Sequence, residues 1–245
     1  MSKFLVIAEK PSVAQSYAKN LSAYKREDGY LEGESCIVSW CLGHLAEYAQ
    51  PEEYDPKYEK WQFDDLPILP EAWKLKVSKD KKKQFEVIKT LMNRSDVEYL
   101  VNGCDAGREG ELIFQRVYVL AGCRKPVKRL WISSMEDAAI QKGFQTMKSE
   151  EEYKNLCMAA VCRAQADWLI GMNGTRALTC KYNAQLSCGR VQTPTLAMIA
   201  KREEEIRSFR PKEYYGLSVK AGDVTWTWKE PKSKSFRTFN KERVE

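Results

Sequence analysis

The 245-residue sequence has no run approaching the ~20 consecutive apolar residues of a membrane helix, so a membrane-spanning role is not expected. Met1-Ser2-Lys3 leads straight into a strand-like run with no signal-peptide pattern, and the expected location is cytoplasmic. His44 is the only histidine. It is read as a structural histidine hydrogen-bonded behind a loop, not as a proton-transfer group. The cysteines (Cys36, Cys41, Cys104, Cys123, Cys157, Cys162, Cys180 and Cys188) contain no C-x-x-C pair. Zinc knuckles are therefore not expected, and the thiols are read as reduced, mostly small buried residues. No internal repeat or low-complexity tract is visible. The net charge of +6 is spread along the chain, which is compatible with nucleic acid binding without pointing to it.

What is present is concentrated in residues 97–120. Tyr99-Leu100-Val101 has the length of a buried strand and stops at Asn102-Gly103-Cys104-Asp105. Gly107 and Gly110 follow, and then a helical pattern through Leu112, Ile113, Val117 and Leu120. Strand, acidic turn and helix make half of a parallel α/β unit, whose chemistry sits at the carboxyl ends of the strands. That end carries Asp105, Glu109 and Glu111, with Arg108 among them. The N-terminus repeats the pattern. Phe4-Leu5-Val6-Ile7-Ala8 reads as a strand covered on both faces. It ends in Glu9-Lys10-Pro11-Ser12, and a helix follows with Val13, Tyr17 and Leu21 on one face. Ser12 with Gln15 fits a capping box, making Ser12 the expected N-cap. If the two strands are parallel neighbours, Glu9 meets Asp105 and Glu109 at one edge. Three such carboxylates repel unless a cation sits among them, and an oxygen-only donor set points to Mg2+.

Elsewhere, residues 24–49 read as two or three short strands. Residues 51–73, with four prolines, read as an ordered but irregular excursion packed against its own domain. The basic run at 79–83 precedes a helix carrying Phe85, Ile88, Leu91 and Met92 on one face. Residues 127–132 suggest another strand, followed by a helix through Ala138, Ile140 and Phe144. The fold class expected is α/β, with about four parallel strands flanked by helices. From residue 150 a helical stripe at Tyr153, Leu156, Ala160, Val161, Ala164 and Trp168 begins. Gly171, Asn173 and Gly174 are expected to break that helix. Arg163 and Asp167, four apart, are placed to pair. Thr193 as N-cap and Pro194 at the first helical position start a further helix. Residues 215–228 read as a β-hairpin turning at Ala221-Gly222-Asp223. The expected organisation is a metal-binding α/β domain over 1–149, a helical domain over 150–212, and the start of a truncated β domain over 213–245.

The motifs E-K-P-S-V-A near the start and D-A-G-R-E-G-E from Asp105 resemble the Toprim domain of type IA DNA topoisomerases, nearest the bacterial topoisomerase III branch. C-L-G-H-L-A-E, W-Q-F-D-D-L-P-I-L-P, R-A-Q-A-D-W-L-I-G-M-N and S-C-G-R-V-Q-T-P-T-L extend the resemblance, in order, to about Tyr215. The resemblance implies single-strand DNA breakage and rejoining through a 5′-phosphotyrosine. It implies Glu9, Asp105 and Glu109 as Mg2+-binding acids, with Glu9, Lys10 and Arg108 as catalytic groups. It also implies Arg163, Arg176, Ser187, Arg190 and Gln192 as residues lining a single-strand DNA groove. One departure stands out, since Gly107 occupies the position of the usual second aspartate. The lost ligand weakens the expected metal site unless water or Glu111 substitutes. Two other readings remain open from the sequence: another Toprim enzyme, such as a primase or nuclease working through metal ions alone, and a non-catalytic single-strand binding module. None of the 12 tyrosines has the proline-arginine-threonine neighbourhood of the family's nucleophile. The 245-residue chain alone is therefore predicted not to relax supercoiled plasmid in Mg2+. Relaxation by the purified chain would refute this.

Overall fold

The N-terminal apolar run forms β1 (Lys3–Ala8), the middle strand of a seven-stranded sheet in the computed structural model, which describes residues 2–231 and 233–243. Chain contacts divide the protein into two units, Met1–Arg190 and Val191–Glu245. In the first unit, β1 is followed by α1 (Pro11–Asn20), β2 (Lys25–Glu27), β3 (Tyr30–Glu32), β4 (Cys36–Trp40), β5 (Ala46–Tyr48) and β6 (Leu75–Val77). Then come α2 (Lys82–Met92), β7 (Val97–Gly103), α3 (Arg108–Leu120), β8 (Val127–Arg129), α4 (Asp137–Gln145), β9 (Lys148–Ser149) and α5 (Lys154–Tyr182).

The sheet order is β2-β3-β4-β1-β7-β8-β9. The four inner strands, β4, β1, β7 and β8, are parallel, as the continuous apolar run of β1 leads one to expect, and antiparallel pairing adds further strands at each side. Alternation along β1 sends Leu5 and Ile7 to one face, with Phe85 and Ile88 of α2 and Ile113, Phe114 and Val117 of α3. Val6 and Ala8 go to the other, with Tyr17 of α1 and Ile140 of α4. β5 and β6 pair as a separate two-stranded ribbon.

Residues 51–73 wind through three short 3-10 turns, and Tyr54, Tyr58 and Trp73 pack with Trp168 of α5. The Trp168 indole donates to the Ala49 carbonyl at 3.1 Å. No disulfide joins the eight cysteines.

Three local expectations need correction. Pro11 takes the first position of α1 with Lys10 as cap, so Ser12 lies inside the helix. Proline's fixed φ and missing N–H suit that first position. The expected break at residues 171–174 is absent, and α5 runs unbroken to Tyr182. Asn173 holds Ile68 through its side chain, accepting from the backbone N–H and donating to the carbonyl, while Gly174 lies where a Cβ would meet the Cys188 sulfur at 2.7 Å. These residues serve close packing, which offsets their poor helix propensity. In the second unit α6 spans Gln192–Arg207 with Val191 as cap, so Thr193 and Pro194 fall within its first turn. β10 (Ser218–Ala221) and β11 (Val224–Thr227) form the hairpin, with Gly222 at φ +63° in its two-residue turn. Among the described residues no helix is long and apolar enough to cross a membrane.

One ion network ties the start of the sheet together. Glu32 accepts from Arg94 at 2.8 Å and from Lys3 at 2.7 Å, and Arg94 also binds Asp96 at 2.7 Å. The Arg94 guanidinium holds both Glu32 and Asp96 below the usual carboxylate range. This stabilisation is complete above the ordinary carboxylate pKa of about 4 and is lost as pH falls through the lower folded values. Glu32→Gln is predicted to flatten the acid limb of stability. Urea midpoints compared at neutral and strongly acidic pH check this, and an unchanged pH dependence would contradict it.

Candidate metal and nucleic-acid site

The site begins with strand register. Ala8, the last residue of β1, pairs with Trp40 at the end of β4 and with Gly103 at the end of β7. Three chain segments therefore leave the sheet at one level: Glu9-Lys10, Cys41 to His44, and Cys104-Asp105. The Cys41 N–H donates to the Ala8 carbonyl at 2.7 Å, and the Gly43 N–H to the Glu9 carbonyl at 3.3 Å. α1 and α3 both start at this rim.

Glu9, Lys10 and Asp105 meet there. The Lys10 Nζ lies 3.6 Å from Glu9 Oε1 and 4.0 Å from Asp105 Oδ2. Glu9 is nearly enclosed, and its Oε2 is buried without a hydrogen-bond partner. Glu109 is engaged elsewhere, with Oε2 3.4 Å from His44 Nε2 and Oε1 3.7 Å from Arg163 Nη1. Burial, with the charge of Arg116, lowers the His44 pKa against the opposing pull of Glu109. Glu109 therefore stands apart from Glu9 and Asp105, and among the described residues no three His, Cys, Asp or Glu side chains are grouped as a preformed metal site. Lys10 and Arg163 supply positive charge beside the acids. The donor chemistry at Glu9 and Asp105 fits Mg2+, because carboxylate oxygens are hard ligands and one Glu9 oxygen is buried with no hydrogen-bond partner. The neighbouring thiol does not compete. A hydrogen bond with Cys41, together with burial, pushes the Cys104 thiol well above its ordinary pKa.

Glu111 is not a substitute ligand. It is 1% exposed, and its Oε1 accepts from Arg129 Nε at 2.5 Å while its Oε2 accepts from Asn102 Nδ2 at 3.3 Å. Breaking such a buried pair from one side costs about 3–5 kcal/mol. Arg129 was not among the residues singled out from sequence. The available signal was a charged residue in a strand beside the acidic turn. Gly107 has an extended backbone and open space around it, so nothing steric requires glycine there. Gly110 is different, since a Cβ there would lie 2.1 Å from the Asp105 carbonyl oxygen.

Basic residues of α5 and the following loop run away from the rim. Arg163 lies 3.8 Å from Asp167, and Arg190 Nε donates to Asp167 Oδ1 at 2.5 Å. Ser187 is exposed on the same loop, whose Cys188 N–H donates to the Thr175 hydroxyl at 3.0 Å. Arg108 is exposed on the first turn of α3. Arg176 faces protein instead of solvent: it is 4% exposed, donates to the Tyr58 carbonyl at 2.6 Å and lies under the Trp61 ring. Gln192 belongs to the second unit, in the first turn of α6.

Residues 4–135 match the model of the Toprim domain. The chain belongs to the Toprim family. Beyond the Toprim match, residues 151–245 match the model described as DNA topoisomerase. The chain is 54% identical to DNA topoisomerase 3 of Bacillus subtilis (strain 168), over 99% of this chain and 33% of that protein. It is 52% identical to DNA topoisomerase 3 of Bacillus licheniformis, over 98% of this chain and 33% of that protein. The chain thus spans about a third of the length of these curated relatives. Its fold is similar to that of full-length topoisomerase I from Thermotoga maritima, with a TM-score of 0.66 at 22% identity, covering 98% of this chain and 36% of that one.

In this Toprim chain the two glycines of the acidic turn make opposite demands. Gly110→Ala is predicted to cost about 1–3 kcal/mol or more, because the turn carbonyl has to move. Gly107→Ala is predicted to change stability by less than about 0.5 kcal/mol. Urea unfolding of both variants measures this, and equal stabilities would contradict the packing described.

Proposed function

We propose that this chain forms the metal-binding and strand-guiding part of a type IA DNA topoisomerase. The single observation that carries the reading is the rim where Glu9, Lys10 and Asp105 meet with one Glu9 oxygen buried and unpartnered. The Toprim and topoisomerase matches support it.

In this reading Glu9 and Asp105 would hold Mg2+, with Glu109, now beside Arg163, as the third acid that would serve it. The bound ion supplies positive charge beside the scissile phosphodiester. Lys10, with its side chain 58% exposed, neutralises a phosphate oxygen. Glu9, enclosed at the strand end, acts here in its ionised form as a ligand, and Arg108 orients the acids from the helix start. Arg163 and Arg190 share Asp167 and can exchange that carboxylate for the phosphates of single-stranded DNA. Ser187 extends this contact within the first unit, Gln192 of the second unit is a separate candidate for DNA contact, and Arg176 contributes by anchoring the turn at Tyr58. The attacking tyrosine is assigned to sequence outside these 245 residues, in keeping with the greater length of the relatives.

Fluorescence anisotropy with a single-stranded oligonucleotide, across a salt series, tests the groove. Arg163→Ala and Arg190→Ala are each expected to weaken binding and to reduce the salt slope by about one. Calorimetric titration with Mg2+ tests the rim, where Glu9→Gln is expected to weaken binding. Indifference of DNA binding to both arginine variants, together with Mg2+ binding unaffected by Glu9→Gln, would overturn the proposal.

A further inference from the structure

The acidic turn is held from beneath by a residue on the next strand. Arg129 ends β8 and pairs in register with Asn102 of β7. Its guanidinium is 1% exposed. Nη1 donates to the carbonyls of Asn102, Cys104 and Leu130 at 3.0, 2.7 and 2.8 Å, and Nη2 to the carbonyl of Asp105 at 2.7 Å. Nε is taken by Glu111. One planar fork therefore grips three carbonyls of the turn and the carboxylate of the helix that follows it. Asn102 closes the ring, since its Oδ1 accepts from the Cys104 N–H at 3.2 Å and its Nδ2 reaches Glu111. The Trp131 ring lies 5.0 Å from the guanidinium and stacks on Tyr153.

We infer that Arg129, acting with Glu111, is the positioning residue of the divalent-cation site, an inference that rests on the proposed metal-binding reading of the rim. Its two shortest carbonyl contacts are to Cys104 and Asp105, so it sets the backbone from which the Asp105 carboxylate leaves. Gly110 lets the helix approach the same Asp105 carbonyl so closely that a Cβ there would lie 2.1 Å from it, which leaves the turn little room on that side. Glu111 lies two residues after Glu109, so its anchoring fixes the rotation of the first turn of α3 and hence the direction in which Glu109 departs. Arg129 is buried beneath the turn, with its donors spent on protein carbonyls and on Glu111. It acts through the two acids whose backbone it fixes. A lysine, with one ammonium and no fork, cannot make these contacts together.

Three variants test the inference. Arg129→Lys keeps the charge, Glu111→Gln keeps the volume, and the double variant R129M/E111M replaces the buried pair with apolar groups, which cores tolerate well. Each is read by thermal midpoint, by hydrogen exchange of the amides at 104–110, and by calorimetric Mg2+ affinity. The expected result is faster exchange confined to 104–110, with β1 and the interior of β7 unchanged. Mg2+ affinity is expected to fall about 10–100-fold even in whichever variants keep a near-native midpoint. A merely structural pair would lower the midpoint while leaving the turn's exchange and the Mg2+ affinity of the folded protein as in wild type, and that result overturns the inference. If the wild-type chain binds no Mg2+, the metal reading of the rim fails. The exchange at 104–110 then still decides whether Arg129 holds the turn.

Discussion

Parallel pairing of β1 with β4 on one side and β7 on the other is the constraint from which the site follows. Because Ala8 is level with both Trp40 and Gly103, the next residues of three segments emerge together. A slip of one residue in either pairing would exchange the sheet faces of every side chain along β1. Leu5 and Ile7 would leave the core formed with α2 and α3, and Val6 and Ala8 would leave the core formed with α1 and α4. The hydrophobic packing of both faces thereby fixes where Glu9, Cys41 and Asp105 begin.

Electrostatics then decides what these groups do at the rim. Three acids leave the sheet or enter a helix there, and each lies beside a basic neighbour. Lys10 lies between Glu9 and Asp105, and Arg163 and His44 take Glu109. These contacts at 3.4–4.0 Å are long, all but that of Glu9 join well-exposed side chains, and they are weak. The buried Arg129–Glu111 pair is of another kind, because its desolvated charges have no water to replace a lost partner. The rim thus combines a rigid backbone cradle with loosely held side chains, and the proposed exchange of ion pairs for a metal and a phosphate needs both.

Much of this was legible in the sequence because it is written in local patterns. The apolar runs at 4–8 and 99–101 end abruptly in acids, and two such ends imply a shared edge once the strands are parallel. The features that escaped depend on partners distant along the chain. Gly171, Asn173 and Gly174 read as a helix break, yet Ile68 and Cys188 make their small or polar side chains useful within α5. Ser12 matched a capping pattern, but Pro11 claimed the first helical position. Arg176 looked like a surface guanidinium until the 51–73 excursion covered it. Glu111 looked like one more acid of the turn, because nothing local reveals that Arg129 comes up beneath it from β8.

The central claim is that the rim at Glu9 and Asp105 is a divalent-cation site even though three acids do not converge there beforehand. Anomalous diffraction from crystals of the chain grown with Mn2+ tests it most directly. The account predicts one anomalous peak within coordination distance of Glu9 and Asp105, with the Lys10 ammonium displaced from between them. No peak at the rim, with Lys10 still bridging the two carboxylates at high Mn2+, would contradict it.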